Sequence, residues 1–584
     1  MPKRSATLVL LLALAVLPTV LSARADESAI ADEPVPSRQR PGEDPRPTIF
    51  PPLVYESVPD INSSASEFVP VPDRWRQFYV GKLYDPYNQN ELKGDLPLFG
   101  KPGEEWFVEV SLISDTLLER RKLPLPVGFA STNSSASTDV FGNGLQTAVV
   151  QTLVPSLSII RGNTTFRPPD FEFRFVPVLN FNHVRSAETG ALRADPSRSS
   201  NRDDAHIGFQ ELFVDYHLAN LSNRYDFIST RVGVQRFQSD FRGFIFASDE
   251  PGARLFGNWD NNHYQYNLAW FSRLDKDTNS ALNTSFESRH EQVLLANLYA
   301  QDLLTKGHTV QGSILHRMDV AGDHGEHYDD NGFLVRPGAI GDERAKNIYS
   351  TYVGTTSDGH IGRVNVTSAL YYVFGSESHN PIAERRTSIN AGMAAAELSY
   401  DINWLRIRSS LLWASGDSDP FDGEAEGFDA VVDAPNFAGG DLAFIQRQGI
   451  PFIGGGGVNL FNRLSLFPNL RPGKEEGQSN FVNPGLRLYN LGLDAEVLPQ
   501  LKLITNASFL QFDDVASLNA LRQDGSFSRD LGFDLSTGVL YRPFLNNNVQ
   551  LRGGVAALLT DQGFENLFGD DVLWDVFTNV ILLY

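Results

Sequence analysis

From about residue 104 to the C-terminus the chain alternates apolar and polar positions in segments of about 10–15 residues, the period of a strand with two different faces. In 403–414, Leu405, Ile407, Leu411 and Trp413 oppose Arg406, Arg408 and Ser410. In 170–184, Phe171, Phe173, Phe175, Leu179 and Phe181 oppose Glu172, Arg174, Asn180 and Asn182. In 547–559, Val549, Leu551, Val555, Ala557 and Leu559 oppose Gln550, Arg552, Gly554 and Ala556. The pattern predicts strands near 104–114, 146–160, 170–184, 206–219, 224–237, 252–257, 262–273, 287–300, 307–318, 345–356, 361–374, 388–400, 403–415, 481–497, 501–512, 530–542, 547–559 and 571–584.

The gaps between these strands alternate in length. Asp401-Ile402, Leu498-Pro499-Gln500 and 543–546 are tight, whereas 115–145, 185–205, 319–344, 416–480 and 513–529 are long. One end therefore carries turns and the other carries loops, and an even strand number returns both termini to the turn end. A soluble sandwich would alternate too, but its outer face would be the charged one. The asymmetry predicts an all-β fold, a transmembrane antiparallel barrel of about 18 strands with short periplasmic turns and long extracellular loops. Aromatics near strand ends (Tyr264, Trp270, Tyr372, Phe374, Tyr541, Trp574) fit interfacial girdles. No stretch is long and apolar enough for a spanning helix, which leaves a closed barrel as the way to satisfy backbone groups in lipid.

The N-terminal part is read differently. Lys3 and Arg4, the apolar run Leu8–Leu21 and Ala23-Arg24-Ala25 make residues 1–25 a secretory signal peptide. Removing Lys3, Arg4 and Arg24 takes the formal charge from −22 to −22 − 3 = −25. Residues 26–73 are rich in proline and acid and predict an extended, disordered periplasmic lead-in. Residues 74–103, where aromatics return, predict a short ordered element inside or under a barrel spanning 104–584. Localisation in a bacterial outer membrane follows, with lipid and lipopolysaccharide around the wall.

Composition narrows the chemistry. Acidic residues number 71 against 49 basic, and the pI near 4.9 argues against a nucleic-acid partner. The absence of cysteine removes disulfides, thiolate catalysis, iron–sulfur clusters and covalent haem attachment. No G-x-S-x-G occurs, and spacing identifies no Ser/His/acid set, so no enzyme is expected and no resident cofactor.

An aqueous lumen is the expected site. The inward register collects the pore-lining candidates Glu172, Arg174, Glu211, Asp215, Arg231, Arg363, Glu397, Arg406, Arg408, Asp494, Glu496, Asp534 and Arg552. Neither sign dominates. Opposite charges are expected to pair across strands and line a wet wall, or to guide a polar solute. The 416–480 loop is acidic in its first part and apolar and glycine-rich from Phe444 to Phe467, so it either folds into the lumen as a constriction or covers the mouth. Asp417-Ser-Asp419-Pro-Phe-Asp422-Gly423 approaches a calcium loop with one residue too many, and Asp323-His324-Gly325-Glu326-His327 gathers two imidazoles. Asp417, Asp419, Asp422, His324 and His327 are therefore the metal candidates, with calcium the ion considered.

The last strand puts Trp574, Val576, Val580, Leu582 and the terminal Tyr584 on one face and resembles the signal read by the bacterial barrel-assembly machinery. Two segments carry a family resemblance. Phe209-Gln210-Glu211-Leu212-Phe213-Val214-Asp215 and Arg231-Val232-Gly233-Val234-Gln235 resemble strands of the alginate-export type of outer-membrane barrel. That resemblance implies 18 strands and an arginine-rich lumen for an anionic polysaccharide. The function expected is a porin-like channel passing polar or charged solutes by diffusion, an anionic saccharide being one candidate. The alternative is a structural sheath, for example around an electron-transfer cytochrome. A homo-oligomer is compatible with either.

Overall fold

The computed structural model describes residues 91–101, 104–124, 142–162, 168–224, 226–322, 325–338, 340–342, 344–449, 465–467, 470–522, 527–569 and 572–584. The expected signal peptide, the 26–73 lead-in and most of the 74–103 element lie outside these residues.

Eighteen long strands form one closed antiparallel barrel. In chain order they are β1 (Trp106–Lys122), β2 (Leu145–Arg161), β3 (Phe171–Ser186), β4 (Asn201–Asn220), β5 (Phe227–Gln238), β6 (Ala247–Trp259), β7 (Tyr264–Lys276), β8 (Asn283–Ala300), β9 (His308–Asp319), β10 (Ile348–Ile361), β11 (Val364–Glu377), β12 (Thr387–Ile402), β13 (Leu405–Ala414), β14 (Leu486–Leu498), β15 (Leu501–Gln511), β16 (Asp530–Tyr541), β17 (Val549–Thr560) and β18 (Val572–Leu583). Each pairs with the next, and β18 returns to β1 in the register Ile113↔Leu583 to Lys122↔Trp574, so no edge is left open to lipid. Gly362-Arg363 and Asn403-Trp404 are two-residue hairpins, with Gly362 and Asn403 at positive φ as tight hairpins require.

Several strands outrun the pattern that predicted them, β1 and β6 among them. β1 continues eight residues past 114 because its charged end, Glu119 and Arg121, points inward and is covered there. β6 spans 247–259 although Pro251, Gly252 and Gly257 interrupt its alternation; its register with β5 runs unbroken through Pro251↔Val234. Residues 91–101 lie along the start of β1 through the bridges Lys93↔Glu109 and Phe99↔Trp106.

The outer wall is apolar. Leu268, Trp270, Leu411 and Leu491 are exposed, the last at 66%, because they face outward where lipid would be. The inner wall changes character along its height. On β12 the inward side chains run Ile389, Ala391, Met393, Ala395 and then Glu397 and Ser399. On β13 they run Ala414, Leu412 and then Ser410, Arg408, Arg406, and on β17 Leu558, Ala556 and then Gly554, Arg552. On these three strands the long-loop half of the inner wall is apolar and the short-turn half is polar.

The apolar half is filled by the chain itself. The described parts of the 415–485 connection fold inside, with Phe428, Phe437, Phe444 and Phe481 buried in one core with the inward Phe271, Leu412, Leu488 and Leu510. The shorter 239–246 connection also turns inward and buries Phe244, Ile245 and Phe246. The two inserted segments are stitched together: Val431 and Val432 amides donate to the Ile245 carbonyl, Ala434 donates to Gly243, and Asn436 donates to Arg242. Burial of large side chains on this scale, about 25 cal/mol per Å² of apolar surface, fixes the loop in place.

Candidate functional site

Below the inserted core, in the polar half, lies a cavity of about 580 Å³. Its wall is built from alternate residues of β10 to β15 and β17, and its roof from Asn436 to Leu442. Glu397, Arg406, Arg408, Asp494 and Arg552, all expected from the inward register, line it. Arg242, Asp358, Asp441 and Lys502 complete the charged set.

The charges pair. Arg408 Nη2 lies 2.8 Å from Asp494 Oδ1, and Lys502 Nζ lies 3.1 Å from Asp494 Oδ2 and 3.7 Å from Glu496. Arg406 reaches Asp401 at the rim at 2.5 Å. Arg242, from the inserted 239–246 segment, crosses to Glu397 at 3.1 Å and donates to Thr367 Oγ1 at 2.7 Å. Arg552 pairs with Asp441 of the 415–485 loop. A second cavity, of about 410 Å³, is lined by Arg236, Gln238, Ala247, Ser248, Asp249 and Ala434. It shares Asn436, Asp441 and Arg552 with the first.

A third group of expected residues gathers on β3–β5. Arg231 lies 2.9 Å from Asp215 and 3.9 Å from Glu172, and its guanidinium sits 4.1 Å from the Phe213 ring centroid. Arg174 lies 2.7 Å from Glu211 and 3.8 Å from Glu172. The Q-E-x-x-V-D segment falls on a β-bulge between Val176↔Glu211 and Pro177↔Phe209, which switches the inward parity so that both Gln210 and Glu211 turn inside. Alternating positions 211, 213 and 215 then follow, and Asp215 meets Arg231 directly across the β4–β5 pair. The alginate-export resemblance is not shown, and the lumen is mixed in sign rather than arginine-rich.

Two expected pore-lining residues are elsewhere. Arg363 occupies the two-residue turn after β10, and its guanidinium lies 5.3 Å from the centroid of the outward Tyr400 ring. The strand ends before it, so its inward parity has no effect. Asp534 points inward but meets no water space: at 1% exposure it accepts from the Phe444 and Ile445 amides at 3.1 and 2.9 Å, capping the start of α1 (Phe444–Gln448). Glu496 is inward at the exposed rim beside Lys502.

The metal candidates do not converge. Asp417 is buried and accepts from the Asp419 and Glu426 amides at 3.1 and 3.4 Å; burial, with Glu426 and Asp422 nearby, pushes its carboxyl up to about 7. Asp419 accepts from the Phe421 amide and Asp422 from the Glu424 amide. Each carboxylate closes its own turn, and no group of three metal-ligating side chains forms among the described residues. His327 lies in a small loop hairpin where burial and Arg336 hold its imidazole below the usual range. His324 lies outside the described residues.

Sequence reading missed three features. Fully buried Arg273 lies 2.8 Å from Glu291 and 3.4 Å from Glu250, while Arg317 lies 2.6 Å from Glu291 and 2.5 Å from Asp319. These inward charges of β6–β9 were invisible as a set because the loop that covers them comes from 475–478; Arg289 donates to the Glu475 and Gly477 carbonyls. Inside the loop, Arg471 and Lys474 hold Asp429 below the usual carboxylate range against the upward push of its burial. The third feature is a chain of Ser229 Oγ, 3.4 Å from His217 Nδ1, whose Nε2 lies 3.0 Å from Asn220 Oδ1. Ser229 is wholly buried, so this set has no surface at which a substrate could meet the hydroxyl.

No protein-family model matches the chain. No curated protein matches it. Similar solved structures include Pseudomonas aeruginosa OccK5 (OpdH), at 13% identity over 82% of this chain and 98% of that one, with a TM-score of 0.41. A BenF-like porin from Pseudomonas fluorescens Pf-5 shows 9% identity over 82% and 98%, at 0.44. Acinetobacter baumannii OccAB3 shows 9% identity over 82% and 99%, at 0.43.

Proposed function

We propose that the protein is an outer-membrane channel that passes small polar or charged solutes by diffusion. The observation that carries this reading is the open space left below the inserted core, a cavity of about 580 Å³ onto which Arg, Lys, Asp and Glu side chains face. The apolar outer wall supports a lipid and lipopolysaccharide surround. The charges are mixed and paired, which favours solutes carrying both polar and charged groups; an anionic saccharide is one member of that class. The chemistry is passage rather than catalysis. A sheath around another protein is disfavoured because the inserted segments already occupy the upper lumen.

The test is single-channel current from the refolded full chain in a planar bilayer under a salt gradient. Steady unitary steps with a small reversal potential are expected. A folded, heat-modifiable barrel with no conductance overturns the reading.

A further inference from the structure

The two polar cavities are divided by the stitched pair of inserted segments, and their shared boundary is small. Asn436, Asp441 and Arg552 line both. Asp441 belongs to the inserted loop, beside the short 3-10 turn Gly440–Leu442, whereas Arg552 belongs to the wall strand β17. The partition is tied to the wall at two places. At one, Arg242 spans to Glu397 at 3.1 Å and to Asp358 at 3.8 Å. At the other, the Arg552 Nη2 donates to Asp441 Oδ2. Unlike the buried ties of the core, the second remains partly in water: 28% of the Asp441 side chain and 36% of the Arg552 side chain are exposed. Asn436 beside it is exposed too.

Resting on the channel reading, we propose that the Asp441–Arg552 ion pair is the gate between the two cavities and the residue pair that sets charge selectivity. A solute moving from one cavity to the other passes a cation on the wall and an anion on the partition. The surrounding space holds the further cations Arg236, Arg242, Arg406, Arg408 and Lys502 and the anions Asp249, Asp358, Glu397 and Asp494. Of these, Arg242 is paired with Glu397 and Arg408 with Asp494. The gate pair is therefore where one neutralised charge tips the local balance. Removing the carboxylate leaves Arg552 facing the passage alone and favours anions; removing the guanidinium leaves Asp441 and favours cations. One unit charge acting at about 4 Å in water-like surroundings changes the partition of each ion about fivefold, in opposite directions for the two signs, which is about a 25-fold change in the anion-to-cation permeability ratio.

The experiment is the reversal potential of single channels under a salt gradient for the full chain carrying D441N, R552Q or the charge exchange D441R/R552D. The expected result is a shift of the permeability ratio toward anions of about 25-fold in D441N, a shift toward cations in R552Q, and a return to the parent value in the exchange. Because D441N and R552Q shift the ratio in opposite directions, a common loss of folding cannot imitate the pattern. Conducting channels whose reversal potential is the same in the parent, D441N and R552Q overturn the gate and leave the channel intact. A parent barrel that folds but does not conduct overturns the channel reading instead.

Discussion

Arg447 anchors the tip of the inserted loop, and its removal tests whether that loop is held or merely resting. The side chain is 1% exposed, with Nε 3.1 Å from Glu119 and 3.2 Å from Asp575. Its guanidinium lies 3.6 Å from the Phe577 ring centroid. Arg447→Met keeps the stem and deletes the charge, leaving two buried carboxylates short of a cation. Breaking such a buried pair costs about 3–5 kcal/mol. Arg121 remains near Glu119, which places the loss at the lower end, about 3 kcal/mol. Loss of the cation–π contact adds about 1 kcal/mol. Together the two losses shift the opening equilibrium of the 434–449 segment by about 4 kcal/mol, which exposes it about a thousandfold more often. Hydrogen exchange of peptides from that segment, followed by mass spectrometry in detergent or bilayer, reads this directly. The double variant R447M/D575N, in which Glu119 still faces Arg121, is expected to exchange more slowly than R447M because no carboxylate is then left without a cation. Unchanged exchange in R447M, in a barrel that still shows heat-modifiable migration, would refute the anchoring argument.

Two further outcomes follow from the same geometry. Asp417 is held up to about 7 by burial against an unfolded value near 3.8, so the folded chain binds the extra proton between those values. Its penalty is absent below about pH 4, grows as pH rises and is complete above about pH 7. Exchange protection of 415–429, corrected for intrinsic rates, should therefore fall from pH 5 to pH 8, and Asp417→Asn should abolish that fall; an equal fall in both proteins would contradict the assignment. On the wall, Leu491→Arg places a charge on the most exposed outward leucine, at a cost of about 2–4 kcal/mol near the bilayer midplane, measured by denaturant unfolding from vesicles. A change well under 1 kcal/mol would mean that this face does not meet lipid.

The wall was legible because lipid and lumen impose opposite demands on alternate residues, and the eighteen expected strands match the eighteen observed. Boundaries slipped where that contrast weakens, at the charged end of β1 and at Pro251-Gly252 in β6. The insertion of the 415–485 loop was readable as one of two options, from apolar residues that have reason to leave water. A stronger signal lay unread in the strands that face it: inward positions such as Leu412 and Met393 are apolar only in one half, which marks where the loop sits. Side-chain roles were less legible, since parity gives a direction but not a partner. Asp534 pointed inward as expected, yet a helix 90 residues away in sequence claims its oxygens. Arg363 lost its inward role because the chain turns at Gly362-Arg363, later than the 357–360 gap expected, so that β11 begins only at Val364.

The chain has no cysteine, so one introduced thiol reports on one place. Asn436→Cys sits at the boundary shared by the two polar cavities. The most direct measurement is single-channel current through this variant while a charged methanethiosulfonate reagent is added. A solute path through the lumen requires a stepwise, persistent fall in unitary current as the thiol reacts, with no change in the cysteine-free parent. Full modification, confirmed by mass, with the current unaltered would contradict the account, because the conducting path would then lie somewhere other than between these cavities.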